Sequence, residues 1–174
     1  AMPVIVRDMT DEEAVITMVD SNLQREHILP SEKAFAYKMK LDALRHQGKA
    51  STQVAQKLSV EIVGEAAGES KDQVRRYIRL TNLIPEILQM VDDGKIALTP
   101  AVELSYLQPS EQETLFSIMD CDEATPSLSQ AQRLRRMSEE QRFTDSAVMQ
   151  LMSEVKGNQV EYVKVPVDKL RSYF

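Results

Sequence analysis

Val60–Leu80, VEIVGEAAGESKDQVRRYIRL, reads as two short helices broken by one glycine. Ile62, Val63, Ala66 and Ala67 recur at helical spacing. Ser59 is placed to cap the first helix, and Glu61 puts a negative charge in its first turn, where the helix dipole favours one. Gly68 ends that helix, because the tight turn needs a residue free of the Cβ penalty, and Gly64 one turn earlier lets the two helices cross closely. Ser70 opens the second helix, with Gln73 three residues on as its reciprocal partner in a capping box, and Val74, Tyr77 and Ile78 make the apolar side. This spacing predicts a helix-turn-helix.

Facing outward on the second helix are Lys71, Asp72, Gln73, Arg75, Arg76 and Arg79, four cations against one anion in a chain whose formal net charge is -6. An acidic protein that gathers cations on one exposed helix still attracts phosphate, because the field at a surface is set by the charges nearby. Arginine can fork onto guanine and glutamine onto adenine, which makes Lys71, Gln73, Arg75 and Arg76 candidates for base edges. Arg79, Lys95 and the helix start at Ser70 are candidates for phosphates. The plainer alternative is a solvated helix in an ordinary bundle.

Composition narrows the class. The 174 residues are 43% hydrophobic, enough for one moderate domain or two small ones with a core. Nine methionines against five glycines fit a mostly helical chain with adaptable packing. The single Cys121 excludes an intramolecular disulfide. His27 and His46 stand a helix apart without a companion cysteine, so no metal site is expected. No apolar run is long enough for a membrane span, and a soluble, intracellular protein is expected.

Upstream, Ala1-Met2 reads as an appended remnant, with the natural chain expected to begin earlier, and PVIV at 3–6 is strand-like. Asp8–Val19 is expected to be a helix, with Asp20–His27 as a polar break after it. Pro30 or Ser31 starts a helix through Arg45, and KASTQVAQK at 49–57 reads as a loop. Downstream, Pro85 starts a helix closed by Gly94, Thr99 caps the next at Pro100, and Pro109 opens one to about Asp120. Ser127–Arg142 carries a second basic cluster, Arg133, Arg135, Arg136 and Arg142, as the second choice of DNA surface. Thr144 caps a last helix ending at Gly157-Asn158, and the 159–174 tail is strand-like, interrupted by Pro166.

With these pieces placed, the chain resembles the ParB family of bacterial chromosome- and plasmid-partition proteins. The resemblance is carried by VIVRDMTDEEAVITMVDSNLQRE, then LPSEKAFAYKMKL, IVGEAAGESKDQVRRYIRL and IPEILQMVDDGKIALTPAVELSYL, together spanning about residues 3–107. It implies a cytoplasmic, nucleoid-associated protein that binds a palindromic, centromere-like double-stranded DNA site as a homodimer, with a partition ATPase as a further partner. It also implies that Lys71, Gln73, Arg75 and Arg76 lie on the recognition helix, and that Asn22, Gln24 and Arg25 border a nucleotide pocket. Many members bind CTP with magnesium and close into a sliding clamp. Here Ser21 stands where the family usually has glutamate, and the upstream arginine-rich segment that cradles phosphates is missing, so this stretch is expected to hold no cofactor and not to be an enzyme, and CTP binding and hydrolysis are expected only of a longer parent.

The expected architecture is therefore mainly all-α, a helix-turn-helix domain within a multi-helix bundle with short strand-like ends. Its segments are 1–48, the end of an N-terminal domain; 49–58, a seam; 59–120, the helix-turn-helix with supporting helices; 121–158, further helices; and 159–174, a tail. The competing classes are a CTP-driven clamp centred on Asn22 and Arg25, and a helical module that offers its second basic cluster to an acidic protein.

Overall fold

Most helix starts follow from local capping chemistry. In the computed structural model, which describes residues 8–46, 53–122 and 124–154, the Thr10 hydroxyl accepts from the Glu13 N–H while the Glu13 carboxylate takes the Thr10 N–H. Ser127 and Gln130 repeat that reciprocal box, and the Thr144 hydroxyl accepts from the Ala147 N–H. Pro30 and Pro85 sit in first turns, where a missing N–H costs nothing. The elements are α1 (Asp11–Leu23), α2 (Pro30–Leu44), α3 (Gln53–Ala67), α4 (Lys71–Arg79), a 3-10 turn (Leu80–Asn82), α5 (Pro85–Asp92), α6 (Leu98–Leu104), α7 (Pro109–Asp122), α8 (Leu128–Glu139) and α9 (Asp145–Met152). Among the described residues every regular element is helical, as expected. The strand-like ends, 3–6 and 159–174, lie outside the described residues, whereas the last helix, expected to stop at Gly157-Asn158, ends at Met152 with Ser153 as its C-cap.

Several boundaries differ from expectation, among them α8, which stops at Glu139 rather than Arg142. The helix that was to run from Asp8 to Val19 runs from Asp11 to Leu23, so Asp20, Ser21 and Asn22 are helical and do not form a break. Two hydroxyls make that possible: Thr17 and Ser21 bond back to the Glu13 and Thr17 carbonyls, at 2.8 and 2.9 Å, and so satisfy themselves inside the helix. Asp20 also reaches the Lys40 ammonium of α2, which is 3% exposed. The loop expected at 49–58 is helical from Gln53, which places Ser59 inside α3 and removes it as a cap. Gln53, Ala55, Gln56 and Lys57 are good helix formers, and a weak apolar pattern in such a stretch does not by itself mark a loop. Finally, α6 begins at Leu98 after Ala97, and Thr99, expected as its cap, lies in the first turn.

Two buried clusters hold the helices. The larger gathers Leu80, Ile87, Leu104, Leu115, Met119, Leu134 and Val148 from the 3-10 turn and α5–α9. The smaller joins Tyr37 and Leu41 of α2 to Val60 and Val63 of α3 and Val74 of α4. Each fully buried Leu, Ile or Val contributes about 1.5–3 kcal/mol. Tyr77 of α4 packs against both clusters, so this helix is fixed from two sides.

One buried polar side chain ties the loops around the larger cluster. Gln112, 1% exposed, accepts the Ile84 N–H at 2.8 Å and donates to the Asn82 and Leu107 carbonyls, both at 3.0 Å. Its amide thereby pairs three backbone groups that no helix satisfies. Among the described residues no helix is long and apolar enough to cross a membrane.

Candidate nucleic-acid interface

Gly64 and Gly68 build the turn between α3 and α4. Gly68 has φ +67°, the left-handed region, and a Cβ on Gly64 would stand 2.6 Å from the Glu69 carbonyl oxygen. The Glu69 N–H closes the turn by donating to the Gly64 carbonyl at 2.9 Å. Ser70 then caps α4, its hydroxyl accepting from the Gln73 N–H at 3.2 Å, the forward half of the expected box.

A brace behind the turn was invisible in the sequence. Glu69 accepts from the Lys33 ammonium of α2 at 2.7 Å, and that ammonium also lies 5.2 Å from the centre of the Tyr77 ring. Tyr37 meets Tyr77 edge to face at 5.9 Å. The hydrogen bond to Glu69 pushes the Lys33 pKa up, and burial, then the Glu69 carboxylate, pushes the Tyr37 hydroxyl up. No sequence signal joins Lys33 to Glu69, because thirty-six positions separate them.

With Val74 fully buried below, α4 turns Lys71, Asp72 and Arg75 to solvent. Lys71 pairs with Glu61 and Arg75 with Asp72, each at 3.0 Å. Exposed pairs of this kind are worth about 0–1 kcal/mol, so both cations can exchange them for a stronger anion. Gln73 is half-buried beside them. Arg76, also half-buried, donates to the Thr99 hydroxyl, so it is anchored to α6. Lys95 is exposed in the α5–α6 connection, 3.7 Å from Asp93.

Arg79 does not face outward as expected. It lies on the same side of the helical wheel as Asp72 and Arg75, but the α6–α7 connection covers that end of α4. The guanidinium donates to the Ser105 carbonyl at 3.2 Å and stacks 3.8 Å from the Tyr106 ring centre, with a buried Nε. The exposed set is therefore Ser70, Lys71, Arg75 and Lys95, with Gln73 and Arg76 at its edge.

In the second basic cluster, Arg133 is forked onto Glu154, Arg135 onto Glu103 and Glu139, and Arg142 onto Glu140, while Arg136 is exposed. Around the polar motif of α1, Asn22 and Arg25 line a groove of about 400 Å³ with Met18, Phe35, Met39 and Glu32, whereas Gln24 is the exposed C-cap of α1. Among the described residues no group of three His, Cys, Asp or Glu side chains could hold a metal ion.

A braced glycine turn followed by a short helix with one buried side and one cationic side defines a helix-turn-helix protein. Residues 26–140 match the ParB HTH domain, and the chain belongs to the ParB family. The match reaches past residue 107, where the quoted motifs end, to the end of α8. It is similar to the chromosome-partitioning protein Spo0J of Thermus thermophilus, 32% identical over 134 residues, which are 77% of this chain and 44% of that protein. It is also similar to a probable chromosome 1-partitioning protein ParB of Deinococcus radiodurans, 30% identical over 78% of this chain and 42% of that one. A nucleoid occlusion protein of Listeria monocytogenes is 28% identical over 64% of the chain and 35% of its own length. The chain thus spans less than half the length of these relatives.

Proposed function

We propose that the chain binds double-stranded DNA sequence-specifically by placing α4 in the major groove, in the service of chromosome, plasmid or mobile-element partition. The observation that carries this reading is the exposure of Lys71 and Arg75 on a short helix whose opposite side is buried and whose turn is braced. A rigid helix with loosely paired cations can exchange its ion pairs for base edges without reordering its backbone. Lys71, Gln73, Arg75 and Arg76 are assigned to bases; Ser70 and Lys95 are assigned to phosphates. The names of the relatives support partition and nucleoid association as the setting. Two copies on a palindromic site, and a partition ATPase as a further partner, belong to the same proposal.

The test is an anisotropy titration against a duplex selected from random sequence and against its scrambled counterpart. Arg75→Ala is expected to weaken the selected duplex by about 1–3 kcal/mol and the scrambled one by much less. Equal affinity of wild type and variant for the selected duplex would remove Arg75 from the reading site.

A CTP-gated clamp is the second reading, favoured by the groove that brings Asn22 and Arg25 together. Arg25 and Glu32 both line it among mostly apolar groups, so the described groove offers no net positive charge to a triphosphate. CTP is accordingly assigned to a longer parent. Calorimetry with CTP and magnesium tests this, and saturable heat from the present chain would reverse the assignment.

A further inference from the structure

Tyr106 carries two guanidinium groups on one ring. The central carbon of Arg79, from the last turn of α4, and that of Arg135, from the middle of α8, each lie 3.8 Å from its centroid. Two like charges so close would repel, and the surrounding groups are arranged to offset this. Arg79 donates to the Ser105 carbonyl, and Arg135 donates to Glu103 and Glu139 at 3.1 and 2.8 Å. One aromatic ring thus joins the end of α4 to the α6–α7 connection and to α8. Tyr106 is itself 40% exposed and belongs to neither buried cluster, so packing alone does not explain its place.

We propose that Tyr106 is a positioning residue: by holding Arg79 and Arg135 together it sets the angle of α4 against the downstream bundle, and so the register between the base-reading side chains and Lys95. This rests on the reading of α4 as the DNA-contacting helix. The amino-terminal end of α4 is fixed by the Ser70 cap and the Gly64 crossing, and Tyr77 and Leu80 bury the inner side of its far end, so the Tyr106 stack is left to hold the outer side of that end against a swing. A swing of about 10° about the first turn of this nine-residue helix moves Arg75 and Arg76, roughly 6–8 Å along its axis, by roughly 1 Å, which exceeds the hydrogen-bond distance window of about 0.5 Å. Phosphate attraction tolerates such a shift and base readout does not, so the loss falls on specificity.

The experiment compares Tyr106→Phe, Tyr106→Leu and Arg135→Met on the selected and scrambled duplexes, at a temperature where circular dichroism shows each variant fully folded. Tyr106→Phe keeps the ring and is expected to bind as wild type. Tyr106→Leu loses both cation contacts and is expected to lose about tenfold on the selected duplex, with little change on the scrambled one. Arg135→Met keeps the stem, loses one cation contact to the ring together with the pairs to Glu103 and Glu139, and is expected to show a smaller loss of the same kind; it also serves if Tyr106→Leu does not fold. Unchanged affinity in Tyr106→Leu, equal losses on both duplexes, or a loss in Tyr106→Phe matching that in Tyr106→Leu would each overturn the proposal. A wild-type chain that selects no duplex would overturn the DNA reading beneath it.

Discussion

Replacing Gly64 by alanine should damage the turn by steric contact, whereas replacing Gly68 should damage it by backbone strain, and the two can be told apart. The alanine methyl at position 64 would lie 2.6 Å from the Glu69 carbonyl oxygen, where real Cβ contacts stay above 3.0 Å. The backbone at Glu69 must therefore retreat by at least about 0.4 Å, against the hydrogen bond its own N–H makes to the Gly64 carbonyl and the ion pair its side chain makes to Lys33. Overpacking at a close helix crossing costs about 1–3 kcal/mol, and the upper half of that range applies because the opposing atom is backbone and cannot rotate away. A Cβ at Gly68 meets nothing within 4 Å, so its penalty is the left-handed φ of +67° alone, about 1–2 kcal/mol. Asparagine tolerates that conformation and alanine does not. Urea denaturation should then place Gly68→Asn above Gly68→Ala in stability, while Gly64→Asn is no better than Gly64→Ala. A Gly64→Ala protein within about 0.5 kcal/mol of wild type would refute the crossing argument.

Gln112→Leu, which keeps most of the volume, should still cost on the order of 3 kcal/mol, because the Ile84 N–H and the Asn82 and Leu107 carbonyls are left unpaired in the interior; a urea midpoint equal to that of wild type would show that water replaces the amide. The Tyr37 hydroxyl holds its proton above its ordinary pKa of 10.0, and Lys33 is shifted the same way. The unfolded chain releases these protons first, so stability is complete below about pH 10 and falls as pH rises beyond it. Tyr37→Phe should flatten that alkaline decline above about pH 10, and an unchanged slope there would place its origin elsewhere.

The exposed half of α4 and its turn were legible because their signals are local. A glycine in a left-handed turn, a serine cap and an apolar residue buried at Val74 depend on neighbours within one turn of helix. The boundary errors have equally local causes. Composition at 53–58 does not separate a helix from a loop, because glutamine, alanine and lysine are good helix formers wherever they occur. Asp20–Asn22 looked like a break because their satisfaction comes partly from hydroxyls bonding backward and partly from Lys40, twenty residues on.

What the chain alone determined is the helix-turn-helix itself: two glycines, a cap and a cationic flank that any observer can place from residues 60–80. What only the tertiary structure decided is which of those cations are free. Arg75 and Arg79 share a helical face, yet the first ends in water and the second under Tyr106, because the α6–α7 connection, twenty-six residues later in the chain, folds back over one end of α4. Helical periodicity records the direction in which a side chain leaves its own helix; what it meets there is set by contacts between distant segments, which no spacing within the helix encodes.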